Sequence, residues 1–235
     1  MGAVSLVLLP GLDGTGDLFD PLIECLPEQI KPVVVSYPKD KSCGYRDLKA
    51  IVTNALPRNT DYVILGESFS GPLAIMVAAE RPAGLQGVIL CASFLKNPFR
   101  RVPSWMSRLS VSPIYRLWPV TIQLRAILGR RKEKELADMA LKAVRSVEPA
   151  VVSERVKSIL SVNVESELKK CDVPMLYLAG TKDRLIKAHN IKNITHVKKD
   201  VQVSKIDTQH FILQMAPDWA TKEIIAFVEK NGVPS

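Results

Sequence analysis

Residues 61–75 read DYVILGESFSGPLAI. Two serines, Ser68 and Ser70, stand there among small or turn-forming residues, Gly66, Gly71 and Pro72. A serine hydroxyl is a weak nucleophile at neutral pH. It needs a base to take its proton, a third group to orient the base, and donors for the oxyanion that develops. Gly66-Glu67-Ser68-Phe69-Ser70 approximates G-x-S-x-G, with a strand-like run before it and a helix-like run after it. That context is the one a nucleophile elbow requires, and the sharpness of the turn demands small residues two before and two after the serine. For Ser68 these are Gly66 and Ser70; for Ser70 they would be Ser68 and Pro72, with the strand ending too early. Ser68 is therefore the candidate nucleophile, in a place that also suits a helix N-cap. Ser70 is the small residue that lets the turn close, and the part played by its hydroxyl stays open.

A base has three candidates: His189, His196 and His210. His210 lies in VQVSKIDTQHFILQ, after the last strand-like run and before the last helix, where a loop reaches the same sheet edge as Ser68. His189 falls in a surface-helix pattern and His196 in the connector after it. The orienting acid should leave another strand's carboxyl end. Asp183 does so, following VPMLYLAG, while Asp207 competes from three residues before His210. The place of Asp207 inside the loop leading to His210 points instead to stiffening that loop.

The stretch LLPGLDGTGDLFDPL carries a glycine-rich turn, Gly11 to Gly14, between a strand-like run and a helix. Such a turn leaves backbone N–H groups able to receive an oxyanion. Its glycines do not fit G-x-G-x-x-G and no G-K-[ST] occurs, which argues against a nucleotide site.

These residues must be positioned by a frame. Short apolar runs at Val4–Leu9, Pro32–Tyr37, Tyr62–Leu65, Gly87–Cys91, Val173–Ala179 and Val201–Ile206 read as strands, most of them continuous, as in sheets covered on both faces. Helical patterns at Asp17–Leu26, Tyr45–Leu56, Phe69–Glu80 and Pro217–Glu229 alternate with them, which implies a parallel sheet wrapped by helices. Some eighty residues before Val173 break the rhythm. They begin apolar, aromatic and basic and continue in helical pattern, with Glu135, Leu136, Met139, Ala140 and Val144 at helical spacing. They read as an inserted helical cap over residues 95–170, against a core of residues 1–94 and 171–235. Trp105, Tyr115 and Trp118, with Met106, Leu109 and Leu117, are its candidates for contacting substrate.

With the elbow, the chain order Ser68, Asp183, His210 resembles that of α/β-hydrolase-fold serine hydrolases, in their esterase- or lipase-like members. The resemblance runs through LLPGLDGTG, VILGESFSG, VPMLYLAGTKDRLI and DTQHFILQMAPD, nearly the whole chain. It departs from the pattern at Pro10, where a histidine is usual before the glycine, and at Ser70, where glycine is usual. It implies an α/β-hydrolase fold: a mostly parallel sheet of about six strands flanked by helices, with a helical cap inserted before the penultimate strand. It implies a serine carboxylic-ester hydrolase, with Ser68, Asp183 and His210 catalytic and the backbone N–H groups of Leu12 and Phe69 as oxyanion hole. No metal or organic cofactor is implied. An acyltransferase, thioesterase or carrier-linked methyl-ester hydrolase would share the same three residues, and a ligand-binding module could keep the fold without the chemistry.

Hydrophobic residues make up 47% of the 235, enough for a sizeable core. The net charge is +8, yet Arg81 to Lys132 holds ten bases and no acid, so the rest of the chain is slightly acidic. An acid-free basic segment suits an anionic surface, an acidic acyl carrier or a charged ester, though basic residues also serve simply as a solvated face. No nucleic-acid motif accompanies it. The four cysteines are scattered, and the first apolar run stops at Pro10-Gly11 without a basic leader, so a reducing, cytoplasmic setting is expected.

Overall fold

The computed structural model describes residues 4–99 and 134–231. The elements run β1 (Val4–Leu9), a 3-10 turn (Asp17–Phe19), α1 (Asp20–Cys25), β2 (Ile30–Val34), α2 (Tyr45–Ala55), β3 (Tyr62–Glu67), a 3-10 turn (Ser68–Ser70), α3 (Gly71–Ala78) and β4 (Leu85–Cys91). They continue with α4 (Lys134–Arg145), α5 (Pro149–Ser161), α6 (Glu165–Leu168), β5 (Met175–Gly180), α7 (His189–Val197), β6 (Gln202–Ile206), α8 (Ile212–Met215) and α9 (Pro217–Lys230). The six strands form one parallel sheet in the order β2-β1-β3-β4-β5-β6.

Continuous apolar strands are what a two-faced sheet needs, because successive side chains point to opposite sides. Val7, Leu9, Ile64, Val88, Leu90, Met175 and Tyr177 face the side covered by α2, α3, α6 and α7. Their neighbours Leu6, Leu8, Val63, Leu65, Ile89 and Leu176 face the side covered by α1, α8 and α9. Helix α2 shows the matching helical pattern, burying Tyr45, Leu48 and Val52, and the Asp47 carboxylate caps its first turn by accepting the Gly44 N–H at 3.0 Å.

Several expectations shift. The second strand runs Ile30–Val34 rather than Pro32–Tyr37. Beyond it the chain turns inward to bury Tyr37 beside the glycine-rich turn, and the Tyr37 N–H donates to Gly14 O. Pro32 is tolerated because β2 is an edge strand paired only with β1. The helix expected from Phe69 starts as a 3-10 turn and becomes α-helical at Gly71. His196 lies inside α7, not in the connector after it.

Parallel register brings the functional loops to one edge. Leu9 lies opposite Gly66, Glu67 opposite Cys91, Cys91 opposite Leu178 and Gly180 opposite Ile206. The chain leaves β1 toward β2 on one side and β3 lies on the other, so the loops after β1 and β3 flank a topological switch point. In open α/β sheets that crevice is where ligands bind. Between β4 and β5 lie α4, α5 and α6. Trp105, Tyr115 and Trp118 fall outside the described residues. Among the described residues no helix is long and apolar enough to cross a membrane.

Candidate active site

Strand β3 ends at Glu67 and the chain turns sharply at Ser68, whose φ of 47° lies in the left-handed region. For a residue with a Cβ that conformation costs about 1–3 kcal/mol and persists only when its surroundings fix it. Those surroundings are on both sides. A Cβ on Gly66 would sit 2.7 Å from Ser70 O and 3.0 Å from the Ala74 Cβ, so the helix can fold back over the strand only because that residue is glycine. The Ser93 hydroxyl donates to Ser68 O at 2.6 Å, and the Tyr45 hydroxyl donates to Phe69 O at 2.7 Å while its ring stacks on that of Phe69.

Ser70 is fully buried, whereas Ser68 is partly exposed. Its hydroxyl donates to the Pro10 carbonyl and lies 2.7 Å from the Tyr37 hydroxyl. The elbow is thus fastened to the loop after β1 by the residue that departs from the usual glycine.

The loops after β5 and β6 bring Asp183 and His210 to Ser68. Asp183 Oδ1 accepts the backbone N–H groups of Leu185 and Ile186, each at 2.8 Å. Its Oδ2 lies 2.8 Å from His210 Nδ1, and His210 Nε2 lies 2.9 Å from Ser68 Oγ. A carboxylate only accepts, so the Nδ1 proton faces Asp183 and Nε2 is left as the acceptor for the Ser68 hydroxyl. Asp183 and His210 are both buried, their side chains 3% and 7% exposed.

Asp207 stands apart, with its side chain 71% exposed. It accepts hydrogen bonds from Lys182 at 2.7 Å and Thr181 at 3.1 Å, tying the loop before His210 to the one carrying Asp183. The Lys182 hydrogen bond holds its carboxyl below the usual range. His189 faces the Pro98 carbonyl at 3.2 Å, and His196 is exposed on the same helix.

The glycine-rich turn closes with the Gly14 N–H donating to Gly11 O at 3.1 Å. Gly14 has φ 67°, where a side chain would be strained. Phe69, in the opening turn of its helix, has an N–H that the helix itself leaves unpaired.

Three groups around the site escaped sequence reasoning. Arg155 of α5 is 1% exposed and donates from Nη1 to Leu12 O at 2.9 Å and Asp13 O at 2.7 Å, and from Nη2 to Pro38 O at 2.8 Å. Its signal was a charge on the apolar stripe of a helix, in line with Val151, Val152 and Ile159. Glu67, beside Ser68, is buried, which pushes its carboxyl up to about 7 against the opposing pull of the hydrogen bond from Gln214. Gln214 donates to Glu67 at 3.0 Å and to Leu18 O at 3.1 Å, joining α8 to the end of β3. A cavity of about 260 Å³ is lined by Asp183 together with Tyr177, Ile186, Ile191 and Lys205 among others, and does not include Ser68.

The family described as Serine aminopeptidase, S33, matches residues 39–210, a span that holds Ser68, Asp183 and His210 and well over half of the chain. Among curated protein sequences none matches. Solved structures share the fold at low identity. An esterase from Exiguobacterium antarcticum superposes with a TM-score of 0.81 at 13% identity, covering 97% of this chain and 93% of that one. The enol-lactonase from Burkholderia xenovorans gives 0.78 at 15%, with 97% and 92% covered. An esterase from a Rhodococcus species gives 0.75 at 18%, with 98% and 92% covered. The chain therefore belongs to the Serine aminopeptidase, S33, family of hydrolases and carries the α/β-hydrolase fold.

Proposed function

We propose that this hydrolase is a serine carboxylic-ester hydrolase that works through an acyl-enzyme on small to medium acyl esters. The observation that carries the proposal is the hydrogen-bonded line from Asp183 through His210 to Ser68 at a strained elbow. Ser68 Oγ attacks the ester carbonyl carbon as its proton passes to His210 Nε2, and Asp183 holds the imidazole in the tautomer that can take it. The oxyanion accepts the N–H groups of Phe69 and Leu12, each such donor being worth roughly 3 kcal/mol of barrier. The carbonyl re-forms, the C–O bond to the alcohol breaks, and His210 returns the proton to the leaving alkoxide. Water, giving its proton to His210, then attacks the acyl carbonyl; the C–O bond to Ser68 breaks, His210 returns the proton to Ser68 Oγ, and the acid is released.

The acid-free stretch from Arg81 to Lys132 extends the proposal to substrates bearing negative charge, whose turnover should fall as salt rises. Similarity in fold to an esterase and an enol-lactonase supports esters as substrates over the amides that a serine aminopeptidase would cleave.

The test is a panel of p-nitrophenyl esters of increasing acyl length beside aminoacyl p-nitroanilides. Turnover of esters by the native chain and none by Ser68→Ala is expected, with a fluorophosphonate labelling Ser68. Cleavage of anilides in preference to esters, or ester turnover that survives Ser68→Ala, would overturn it.

A further inference from the structure

A buried arginine ordinarily faces a carboxylate, because taking a guanidinium out of water costs several kcal/mol per ion. Arg155 has none in direct contact among the described residues. The neighbouring Asp13 carboxylate is engaged by the Thr15 N–H at 2.9 Å and the Thr15 hydroxyl at 2.6 Å. The guanidinium spends its Nη donors on three backbone carbonyls around the glycine-rich turn. It fits closely: a Cβ on Gly14 would fall 2.5 Å from Nη1, and the Tyr37 ring lies 5.7 Å from Cζ.

The route of these bonds leads to the oxyanion hole. Arg155 Nη1 donates to Asp13 O. The same peptide unit carries the Gly14 N–H, which donates to Gly11 O. The Gly11 carbonyl in turn shares its peptide unit with the Leu12 N–H. A carbonyl that accepts a charge-assisted bond makes the N–H of its own peptide a better donor, and such polarisation passes along a chain of hydrogen bonds. The chain here starts on a permanent cation.

We infer, on the reading of Ser68 as nucleophile, that Arg155 is a positioning residue for the oxyanion hole: it fixes the glycine-rich turn and polarises the Leu12 N–H through two peptide units. It acts from α5, so the seating of that one helix against the glycine-rich turn sets the strength of the hole. Its effect belongs to the transition state, where negative charge sits on the carbonyl oxygen, and hardly at all to the bound ester.

The decisive variant is Arg155→Lys, which keeps the buried charge but cannot span the Asp13, Leu12 and Pro38 carbonyls together. Arg155→Met removes the charge and serves as a second arm if it folds. Thermal unfolding establishes the folded fraction, kcat and KM are measured on a p-nitrophenyl ester, and affinity is measured for a trifluoromethyl ketone, which forms a tetrahedral adduct. For Arg155→Lys we expect kcat to fall about tenfold with KM within twofold, a partial loss beside the hundredfold or more of deleting a donor. Ketone affinity should fall in parallel. A folded Arg155→Lys with kcat within twofold of native, or with kcat lowered while ketone affinity holds, overturns the inference. A native chain that turns over no ester and takes no label at Ser68 sinks the nucleophile reading itself, which is a different result from equal activity in both proteins.

Discussion

The Ser70 hydroxyl lies 2.7 Å from the Tyr37 hydroxyl, and because its own proton goes to the Pro10 carbonyl, Tyr37 is the donor. Burial raises the Tyr37 pKa, which keeps that hydroxyl protonated for the task. Ser70→Ala would leave two buried polar groups without a partner, at a cost of about 1–3 kcal/mol. It should lower the unfolding temperature while keeping most of the ester turnover. Ser68→Ala should do the reverse. Equal loss of turnover in both, measured beside thermal unfolding, would blur the distinction between the two serines.

The two acids near His210 separate by exposure and by partner. Asp183→Asn replaces a carboxylate that accepts three N–H groups and should impose the wrong imidazole tautomer, reducing kcat on the order of 10³–10⁴-fold. Asp207→Asn touches an exposed pair with Lys182 and should change kcat little. Steady-state kinetics of both variants on one ester checks this.

Glu67 makes stability depend on pH. Its carboxyl rises from 4.5 to about 7 on folding, chiefly through burial. The folded chain then holds that proton more tightly than the unfolded chain. The contribution is fully present below pH 4.5 and is lost as pH rises through about 7, an effect on the order of 3 kcal/mol. Glu67→Gln removes the titration. Its unfolding temperature should therefore fall less steeply than the native one between pH 5 and pH 8. A constant gap between the two profiles would count against it.

Gly66→Ala should be among the most damaging single-methyl changes in the chain. The new Cβ would meet Ser70 O at 2.7 Å and Gly71 Cα at 3.0 Å, both backbone atoms with nowhere to go. We expect a loss of about 3 kcal/mol or more, or no soluble protein, by the same overpacking that makes filled cores costly. Denaturant unfolding measures it.

Much of the frame was legible because its signals are local. Four of the strand-like runs became strands over nearly their full length, and in three of them, Val4–Leu9, Tyr62–Leu65 and Gly87–Cys91, apolar continuity over four to six residues reports burial on both faces. Boundaries slipped where a distant partner intervened, as at Tyr37, drawn out of the edge strand toward Ser70. Arg155 was invisible as a functional group because its partners are main-chain carbonyls, which carry no residue identity to read. Glu67 looked like the interchangeable position of a short motif until Gln214, 147 residues away, was seen to meet it.

By itself the sequence determined the alternation of strand and helix, the small residues of the elbow, and the order Ser68, Asp183, His210 of its candidate residues, because turns and periodicities are properties of neighbours along the chain. Only the tertiary structure decided that His210 and not His189 or His196 faces Ser68, that Asp183 rather than Asp207 bonds the imidazole, and that the Ser70 hydroxyl is a fastening. Those choices depend on distances of about 3 Å between loops that parallel register carries to one sheet edge, and no local pattern encodes them.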